Sequence, residues 1–415
     1  MSREEEENIL PEEGSVPSSR LFDCYEYHRK SSVKSKLCTV LTFTGIVAGV
    51  SLLIIFTVIR SLEILKWSNL SKTKSRLSLR NYPSHEEIDK IIETIPSMYP
   101  KNISVNISTV GYSVENIAIK EISLYNTEKL EEENNGSSCR YPLVWVVCGV
   151  HAREWTSPLT CLHFLHELIE DDLLDQFRVK MIVMANPDGY IYSFQEYGDP
   201  RRDFRKNRRK VGCDEDVNDG VDLNRNFGTG FNHGDDCAAN SSWPWSPPCP
   251  YDSSLCSITY GGPEAFSEPE TRAIRDAMTA DVPWFSLSLH GNGDSWSYPY
   301  AHKHASVSRL GDDLEVAMDK VYDEFGTIYR HGCTSCVMYT AGGTMTDWAW
   351  EELGVRRPYT LELRNLCEVE VYQGTPAACI FQPDMEKAVS IILPEAWFGF
   401  KTLIDEAHKT DCNLR

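Results

Sequence analysis

The hydrophobic and polar positions of the chain divide it into four stretches. Residues 1–36 are polar and predict a disordered cytoplasmic tail. Residues 37–59 contain no charged side chain and are long enough to cross a bilayer as one transmembrane helix, although a buried core helix is an alternative. Residues 60–79 predict a short stalk, and residues 80–415 have the pattern of one globular domain.

Within residues 80–415, short apolar runs alternate with helical patterns. Strands are predicted at 143–147, 179–184 and 284–289. Helices are predicted after Ser84, with Glu87 as its capping partner, after Pro158, and over 383–408. This alternation predicts an α/β fold with a mainly parallel sheet covered by helices on both faces. The Asn-, Ser-, Pro- and Cys-rich stretch 228–260 predicts a surface loop.

Charge and cysteine content narrow the class of protein. The formal net charge of -20 argues against a nucleic-acid partner, apart from the basic run 201–210. Two of the 14 cysteines, Cys24 and Cys38, lie before or within the apolar segment. The other 12 cysteines, an even number that suits a set of disulfides, follow it. Every N-glycosylation sequon also follows it, at Asn69, Asn102, Asn106, Asn135 and Asn240.

These biases orient the apolar segment. Basic residues flank residues 37–59 on both sides, so charge alone gives no orientation. Cysteines and sequons favour a secretory-pathway lumen for everything that follows the segment. The sequence therefore predicts a single-pass type II membrane protein, anchored by residues 37–59, with its large domain outside the cell or in the secretory lumen.

Four residues at the ends of apolar strands suggest metal chemistry. His151 and Glu154 follow directly on one strand, His290 ends another, and Glu362 ends a third. A catalytic zinc takes three such ligands and leaves one position open, and a free carboxylate can then act as base. Singly, each residue also fits an ordinary interpretation as a surface histidine or a solvated glutamate.

A second polar cluster and a glycine-rich loop suit a substrate with a carboxylate. Asn224 and Arg225 together offer the donors that a carboxylate needs, and Asp222 is suited to orient a ligand histidine. Tyr339 begins a loop with two glycines and is either part of a mobile lid or part of a simple turn.

Together these motifs make residues 80 to 412 similar to the zinc carboxypeptidases of the pancreatic carboxypeptidase A/B type. The resemblance implies a mixed, mainly parallel eight-stranded sheet and one Zn²⁺ per chain, held by His151, Glu154 and His290. It implies that Glu362, in its Glu-Leu-Arg context, is the general base and that Arg205 stabilises the oxyanion. It assigns the substrate contacts to Arg153, Asn224, Arg225 and Tyr339. It makes Asp222 the hydrogen-bond partner of the first zinc histidine.

The resemblance also implies an activity and two disulfides. The activity is removal of the last residue from peptides and proteins by a monomeric enzyme. The disulfides join Cys148 to Cys161 and Cys213 to Cys256. Cys237 and Cys249 are a candidate pair within the surface loop, while Cys139, Cys333, Cys336, Cys367, Cys379 and Cys412 stay unassigned.

The pocket for the C-terminal side chain is predicted to be neutral. Aligned without a gap, Thr346 falls where the family has its main specificity residue, so no charge would select Lys or Arg. The rest of the wall would come from Ser288, Ser297, Ala301, Thr334, Ala341 and Thr360. We therefore expect neutral, apolar or aromatic C-terminal residues; with the gap elsewhere, Met345 would replace Thr346.

One feature distinguishes this chain from the digestive members. Too few residues separate the apolar segment from the domain for a pro-domain, which predicts a tethered enzyme that is active when made. Competing hypotheses are a catalytically inactive peptide-binding ectodomain, a soluble enzyme with a cleaved signal, and another zinc amidohydrolase such as a deacylase.

Overall fold

The computed structural model describes residues 81–134, 141–232, 254–366 and 380–413, which all lie in one compact unit, Ser75–Arg415. The predicted tail, transmembrane helix and stalk, and most of the predicted loop 228–260, lie outside these residues. No helix of the described residues has the length and apolar character that a membrane span needs.

Eight strands form one mixed sheet in the order β1-β2-β4-β3-β5-β8-β6-β7. The central pairs β4-β3, β3-β5 and β5-β8 are parallel, as is β6-β7, whereas β1-β2, β2-β4 and β8-β6 are antiparallel. The bounds are β1 Ile103–Tyr112, β2 Ala118–Asn126, β3 Leu143–Val147, β4 Arg178–Ile182, β5 Phe285–His290, β6 Ser295–Tyr298, β7 Arg330–Cys333 and β8 Arg357–Glu362.

Helices cover both faces of this sheet. Alternate residues of β3 enter two apolar clusters: Val144 and Val146 enter one, Trp145 and Val147 the other, because successive strand side chains point to opposite faces. The helices are α1 His85–Thr94, α2 Thr127–Asn134, α3 Thr156–Glu167, α4 Pro187–Ser193, α5 Pro269–Ala280, α6 Ser308–Phe325, α7 Thr334–Val337, α8 Met345–Glu351, α9 Met385–Lys387 and α10 Leu393–Asn413. Helices α3, α6 and α10 contribute to the first cluster, α5 and α8 to the second.

The predicted elements are present with shifted ends. Ser84 caps α1, and the reciprocal bond to Glu87 completes a capping box as predicted. The strand predicted at 143–147 is β3, while β4 and β5 differ from their predictions by one or two residues at each end. The predicted C-terminal helix is interrupted by a π-helical turn, Ala388–Ile392, and extends past its predicted end to Asn413.

Three parallel strands of this sheet end at one edge. The chain leaves β3 and reaches His151 within four residues of Val147, while β5 ends at His290 and β8 at Glu362. His290 and Glu362 are register partners in the parallel pair β5-β8. The carboxyl ends of the strands thus meet where open α/β sheets place their ligands.

Candidate active site

His151, Glu154 and His290 form a buried cluster at this edge, with ligand atoms within 4.8 Å of one another. His151 Nδ1 lies 2.8 Å from Glu154 Oε1, and His290 Nδ1 lies 3.0 Å from His151 Nδ1 and 3.2 Å from Glu154 Oε2. Donors that share a tetrahedral zinc at about 2.0–2.1 Å lie about 3.3 Å apart. The cluster therefore fits a zinc ion that takes both Nδ1 atoms and the carboxylate.

The outer atoms of this cluster are held by other groups. His151 Nε2 lies 3.1 Å from Asp222 Oδ1, and His290 Nε2 lies 2.8 Å from Ser288 Oγ. The backbone N–H of Gly291 donates to Glu154 Oε2 at 3.0 Å. With each imidazole fixed at Nε2, its Nδ1 is directed to the shared centre.

Electrostatics favour the ionised form of two buried carboxyl groups at this site. Burial opposes the charge on Glu154, but His151 and His290 outweigh it and hold the pKa of the carboxyl well below its usual range. Burial likewise opposes the charge on Asp222, and Arg205 and His151 hold its pKa well below its usual range. Two buried carboxylates therefore stay ionised beside the imidazoles.

Glu362 lies half-buried in the cavity that contains this cluster. Burial, followed by the negative charge of Glu154, raises the pKa of the Glu362 carboxyl well above its usual range. A bound dication would act in the opposite direction and favour the carboxylate. Glu362 is thus a carboxyl of the cavity lining with a raised tendency to hold a proton, which suits a base that gains and releases one.

Arg205 lines the same cavity and contacts two carboxylates beside the metal ligands. Its Nε donates to Asp222 Oδ2 at 2.9 Å, and Nη1 lies 3.7 Å from Glu154 Oε1. Asp222 therefore joins this arginine to His151, so one buried carboxylate orients a cation and a ligand histidine together.

Asn224, Arg225 and Tyr339 meet on the cavity wall. Arg225 Nη2 donates to the Tyr339 hydroxyl at 3.1 Å, and Asn224 Oδ1 accepts from Met345 N at 3.0 Å. A guanidinium, an amide and a phenol that line one cavity can all donate hydrogen bonds to a carboxylate.

Arg153 lines the same cavity. Its guanidinium carbon lies 4.0 Å from the ring centre of Phe381, and Nη1 donates to Asp203 O at 3.3 Å. Burial, followed by the charge of Arg205, lowers the pKa of Arg153 to about 10.

A cavity of about 480 Å³ is lined by the site residues named from the sequence except His290 and Asp222, which contact His151. Ser288 and Ser297 were predicted to line the pocket, but both are buried in the sheet and do not line the cavity.

Thr346 also lines this cavity, together with Ala301, Ala341 and Thr360. Its hydroxyl lies 2.6 Å from that of Thr360. Met345 is buried within the second apolar cluster and does not line the cavity. The structure therefore places Thr346, the residue of the ungapped alignment, in the pocket, and not Met345.

Three disulfides lie in the described residues. The structure joins Cys148 to Cys161 and Cys213 to Cys256, the pairs that the resemblance implied. It also joins Cys333 to Cys336, which the sequence left unassigned. The candidate pair Cys237 and Cys249 lies outside the described residues, as do Cys139, Cys367 and Cys379 and the side chain of Cys412.

Sequence reasoning missed several cavity residues. Arg330, on β7, lines the cavity and donates through Nη2 to Gly293 O at 2.6 Å. Ile380 lines it as well, directly after an undescribed stretch. The β7 sequence is short and lacks a clear apolar alternation, so only its register beside β6 locates Arg330. The sequence analysis assigned Ser288 to the pocket wall. Its position two residues before His290, on the same strand face, could instead have indicated its contact with the His290 imidazole.

Comparison with known proteins gives a consistent result. A family model described as zinc carboxypeptidase matches residues 88–378. Carboxypeptidase B of Astacus astacus is 31% identical over 300 residues, covering 69% of this chain and 87% of that protein. Carboxypeptidase A5 of Homo sapiens is 29% identical over 315 residues, covering 72% of this chain and 64% of its own length.

Two solved structures share the fold. Bovine thrombin-activatable fibrinolysis inhibitor, in complex with tick carboxypeptidase inhibitor, has a TM-score of 0.63 and 25% identity, covering 80% of this chain and 99% of that one. Carboxypeptidase A from Helicoverpa armigera has a TM-score of 0.60 and 27% identity, covering 85% of this chain and 81% of that one.

Proposed function

The chain belongs to the zinc carboxypeptidase family and is a metallocarboxypeptidase, and on that premise we propose that it removes neutral residues from the C-termini of peptides and proteins. The observation that carries the proposal is one cavity that places a free carboxylate and a cluster of carboxylate-binding donors beside a set of three metal ligands. Zinc held by His151, Glu154 and His290 would lower the pKa of a bound water and polarise the scissile carbonyl.

Glu362 acts as the general base. Its carboxylate takes a proton from the attacking water and passes it to the nitrogen of the leaving residue. Arg205 is positioned by Asp222 to donate to the oxygen that becomes negative when the carbonyl is attacked. Because that guanidinium is already oriented, it need not reorganise during the reaction.

Asn224, Arg225 and Tyr339 bind the free carboxylate of the substrate. The bond from Arg225 to the Tyr339 hydroxyl occupies donors that a carboxylate would use, so substrate entry would replace this bond by charge-assisted ones. A site that requires a terminal carboxylate makes the enzyme an exopeptidase. This requirement distinguishes the proposal from a deacylase, whose substrate needs no such group.

The preference for a neutral residue rests on the pocket. Thr334, Thr346 and Thr360 line the cavity together with Ala301 and Ala341. The relatives bear both A and B names, so their names do not decide the preferred side chain.

We further propose that the enzyme acts while tethered to a membrane. Support comes from the uncharged residues 37–59 and from the concentration of cysteines and sequons after them. The position of the active site on the lumenal side would confine cleavage to peptides at a cell surface or within the secretory pathway.

The test uses the full-length protein in detergent, with its zinc quantified, and blocked dipeptides that end in Phe, Leu, Lys, Arg or Glu. We expect release of Phe or Leu that a chelator abolishes. Glu362→Gln is expected to keep the zinc but to lower kcat by about 10²–10⁴-fold, the usual contribution of a general base. One zinc per chain without release from any substrate would favour the inactive peptide-binding hypothesis or the deacylase.

A further inference from the structure

We propose that the pocket for the C-terminal side chain selects a carboxamide, so that peptides ending in glutamine or asparagine are the preferred substrates. This inference rests on the proposed function and narrows the neutral class to a polar one. It departs from the apolar or aromatic preference that the sequence predicts, and the reason lies in how the hydroxyls of the pocket are paired.

Hydroxyl groups form a row across three strands beside the metal ligands. Register pairs Thr360 of β8 with Ser288 of β5 on one side and with Ser297 of β6 on the other. The next row on the same face, two residues further along β5 and β8, contains His290 and Glu362. Of the hydroxyl row, Thr360 lines the cavity, whereas Ser288 and Ser297 are buried in the sheet.

Two further threonines lie beside this row, on helices. Thr346 of α8 lies with its Oγ1 2.6 Å from Thr360 Oγ1. Thr334 of α7 donates to Ser297 Oγ at 3.0 Å or to Tyr298 O at 3.2 Å. Thr334, Thr346 and Thr360 all line the cavity.

The pair of hydroxyls from Thr346 and Thr360 leaves one O–H hydrogen without an acceptor inside the pair. A hydroxyl has one hydrogen and two acceptor lone pairs, so the contact between Thr346 and Thr360 uses only one of their two hydrogens. Among the described residues no acceptor is found for the second hydrogen, and both threonines line the cavity. The pocket thus offers an O–H donor and lone pairs together.

A carboxamide matches this combination. Its oxygen can accept from the free O–H group, and its NH₂ can donate to the lone pairs beside it. An apolar side chain would displace water from the same hydroxyls and leave them unpaired, which disfavours it. A single neutral hydrogen bond of this kind changes affinity by roughly three- to tenfold.

Two charged side chains close in sequence to the threonines already have partners among the described residues. Asp347 follows Thr346, but its carboxylate already accepts from Ala301 N at 2.9 Å and from His302 N at 2.9 Å, with the His302 ring at 2.6 Å. Arg330 donates to the carbonyls of Gly293 and Val337. Neither of these two groups is a free counter-ion for a lysine or a glutamate side chain.

The experiment compares kcat/KM of the full-length, zinc-loaded enzyme on blocked dipeptides ending in Gln, Asn, Leu, Phe, Lys and Glu. We expect Gln or Asn to exceed Leu and Phe by at least about threefold, as one neutral hydrogen bond implies. Thr346→Val keeps the shape and removes one hydroxyl, so the Gln-to-Leu ratio is expected to fall roughly three- to tenfold. Thr402→Val, buried on α10 away from the cavity, is the matched control and should leave the ratio unchanged.

Each other outcome has a defined meaning. Preferred release of Leu or Phe, with a ratio that Thr346→Val does not change, would overturn the carboxamide proposal and leave the carboxypeptidase intact. Preferred release of Lys or Glu would overturn the neutral pocket as well. No release from any peptide would overturn the proposed function and the inference with it. If Thr346→Val loses its zinc, Thr360→Val removes the other partner of the same hydroxyl pair.

Discussion

The imidazole of His290 has a different neighbour at each ring nitrogen. Nδ1 faces the other metal ligands, and Nε2 lies 2.8 Å from the hydroxyl of Ser288. In a metal-binding histidine, the ring nitrogen that faces the metal must be unprotonated and the ring must be oriented toward the metal. A hydrogen-bond partner at the other ring nitrogen ensures both. Ser288 is therefore expected to tune zinc affinity although it does not touch the metal.

Ser288→Ala should weaken zinc binding by about tenfold, the lower end of the usual effect of such partners because the serine is neutral. The measurement is zinc affinity by competition with a chromophoric chelator. Ser286→Ala is the matched control, because Ser286 lies two residues earlier on the same strand face and has no hydrogen-bond partner among the described residues. Equal affinities of the two variants would contradict this role.

Protonation of the buried residue Glu270 couples folding to pH. Glu270 accepts from Val114 N at 2.9 Å and from Asn207 Nδ2 at 3.1 Å, and it is fully buried. Burial raises the pKa of its carboxyl from 4.5 to about 7, with neighbouring Glu268 acting in the same direction. The folded chain thus holds this proton more tightly than the unfolded chain does.

Stability should therefore fall as pH rises from about 4.5 to about 7 at this site, because the unfolded carboxyl releases its proton first. Glu270→Gln removes the titration. The difference in free energy of unfolding, wild type minus Glu270→Gln, is expected to fall by about 3 kcal/mol over that range. Denaturant titrations of both proteins at several pH values measure it, and a difference that stays constant would contradict a raised pKa.

At the scale of elements, the disulfide Cys333–Cys336 joins the end of β7 to helix α7. It spans only three residues, whereas Cys213–Cys256 spans 43. Loop entropy gives stabilisations of about 1.6 and about 4 kcal/mol for these separations. The short disulfide encloses Thr334 and is followed by Met338 and Tyr339, three residues of the cavity wall. It therefore contributes more to the shape of the cavity than to global stability.

A variant with Cys333→Ser and Cys336→Ser should accordingly keep most of its stability but bind substrate less well. We expect KM to rise several-fold with a smaller change in kcat, because the wall that carries Thr334 and Tyr339 becomes more mobile while the metal ligands stay in place. Thermal unfolding and steady-state kinetics measure both. The double variant of Cys213 and Cys256 should lose more stability, and the reverse order would contradict the loop-length argument.

The elements that the sequence predicted correctly are those with strong local signals. Strand β3 is a continuous apolar run, and α1 begins with a capping box, so both were visible without tertiary contacts. Strands β6 and β7 were missed because they pair with each other and with β8, at a distance in the sequence. The antiparallel strands β1 and β2 were missed as well. The pair Cys333–Cys336 was missed for a related reason, since spacing alone does not determine which cysteines join.

At the scale of the whole molecule, the sheet order explains how distant residues become one site. Strand β5 lies between β3 and β8, so His151, His290 and Glu362 converge although up to 211 positions separate them, as the numbers 151 and 362 show. The sequence predicted this convergence because ligands at the ends of parallel strands meet at one edge. It did not predict the pairing of pocket hydroxyls, which depends on the register of β5, β8 and β6 and on the placement of α7 and α8.

The orientation of the whole chain in a membrane gives the last prediction. If residues 37–59 anchor a type II protein, the domain beyond them meets the glycosylation machinery of the lumen. Asn106 begins a sequon on the edge strand β1, and its side chain is exposed. It is therefore an accessible acceptor site. Asn106→Gln should remove one glycan, seen as one step less in the mobility shift that enzymatic deglycosylation produces.

Sealed microsomes test the same topology independently. Added protease should remove an epitope tag placed before residue 1 and leave the catalytic domain intact until detergent is added, because only the tail would face the cytosol. Carbonate washing should leave the protein in the membrane pellet, whereas a cleaved signal would release it. A domain that is digested in sealed vesicles and carries no glycan would place the active site in the cytosol. The disulfides Cys148–Cys161 and Cys213–Cys256 would then have to persist in a reducing compartment, where such bonds are rare, and for that reason we expect the lumenal outcome.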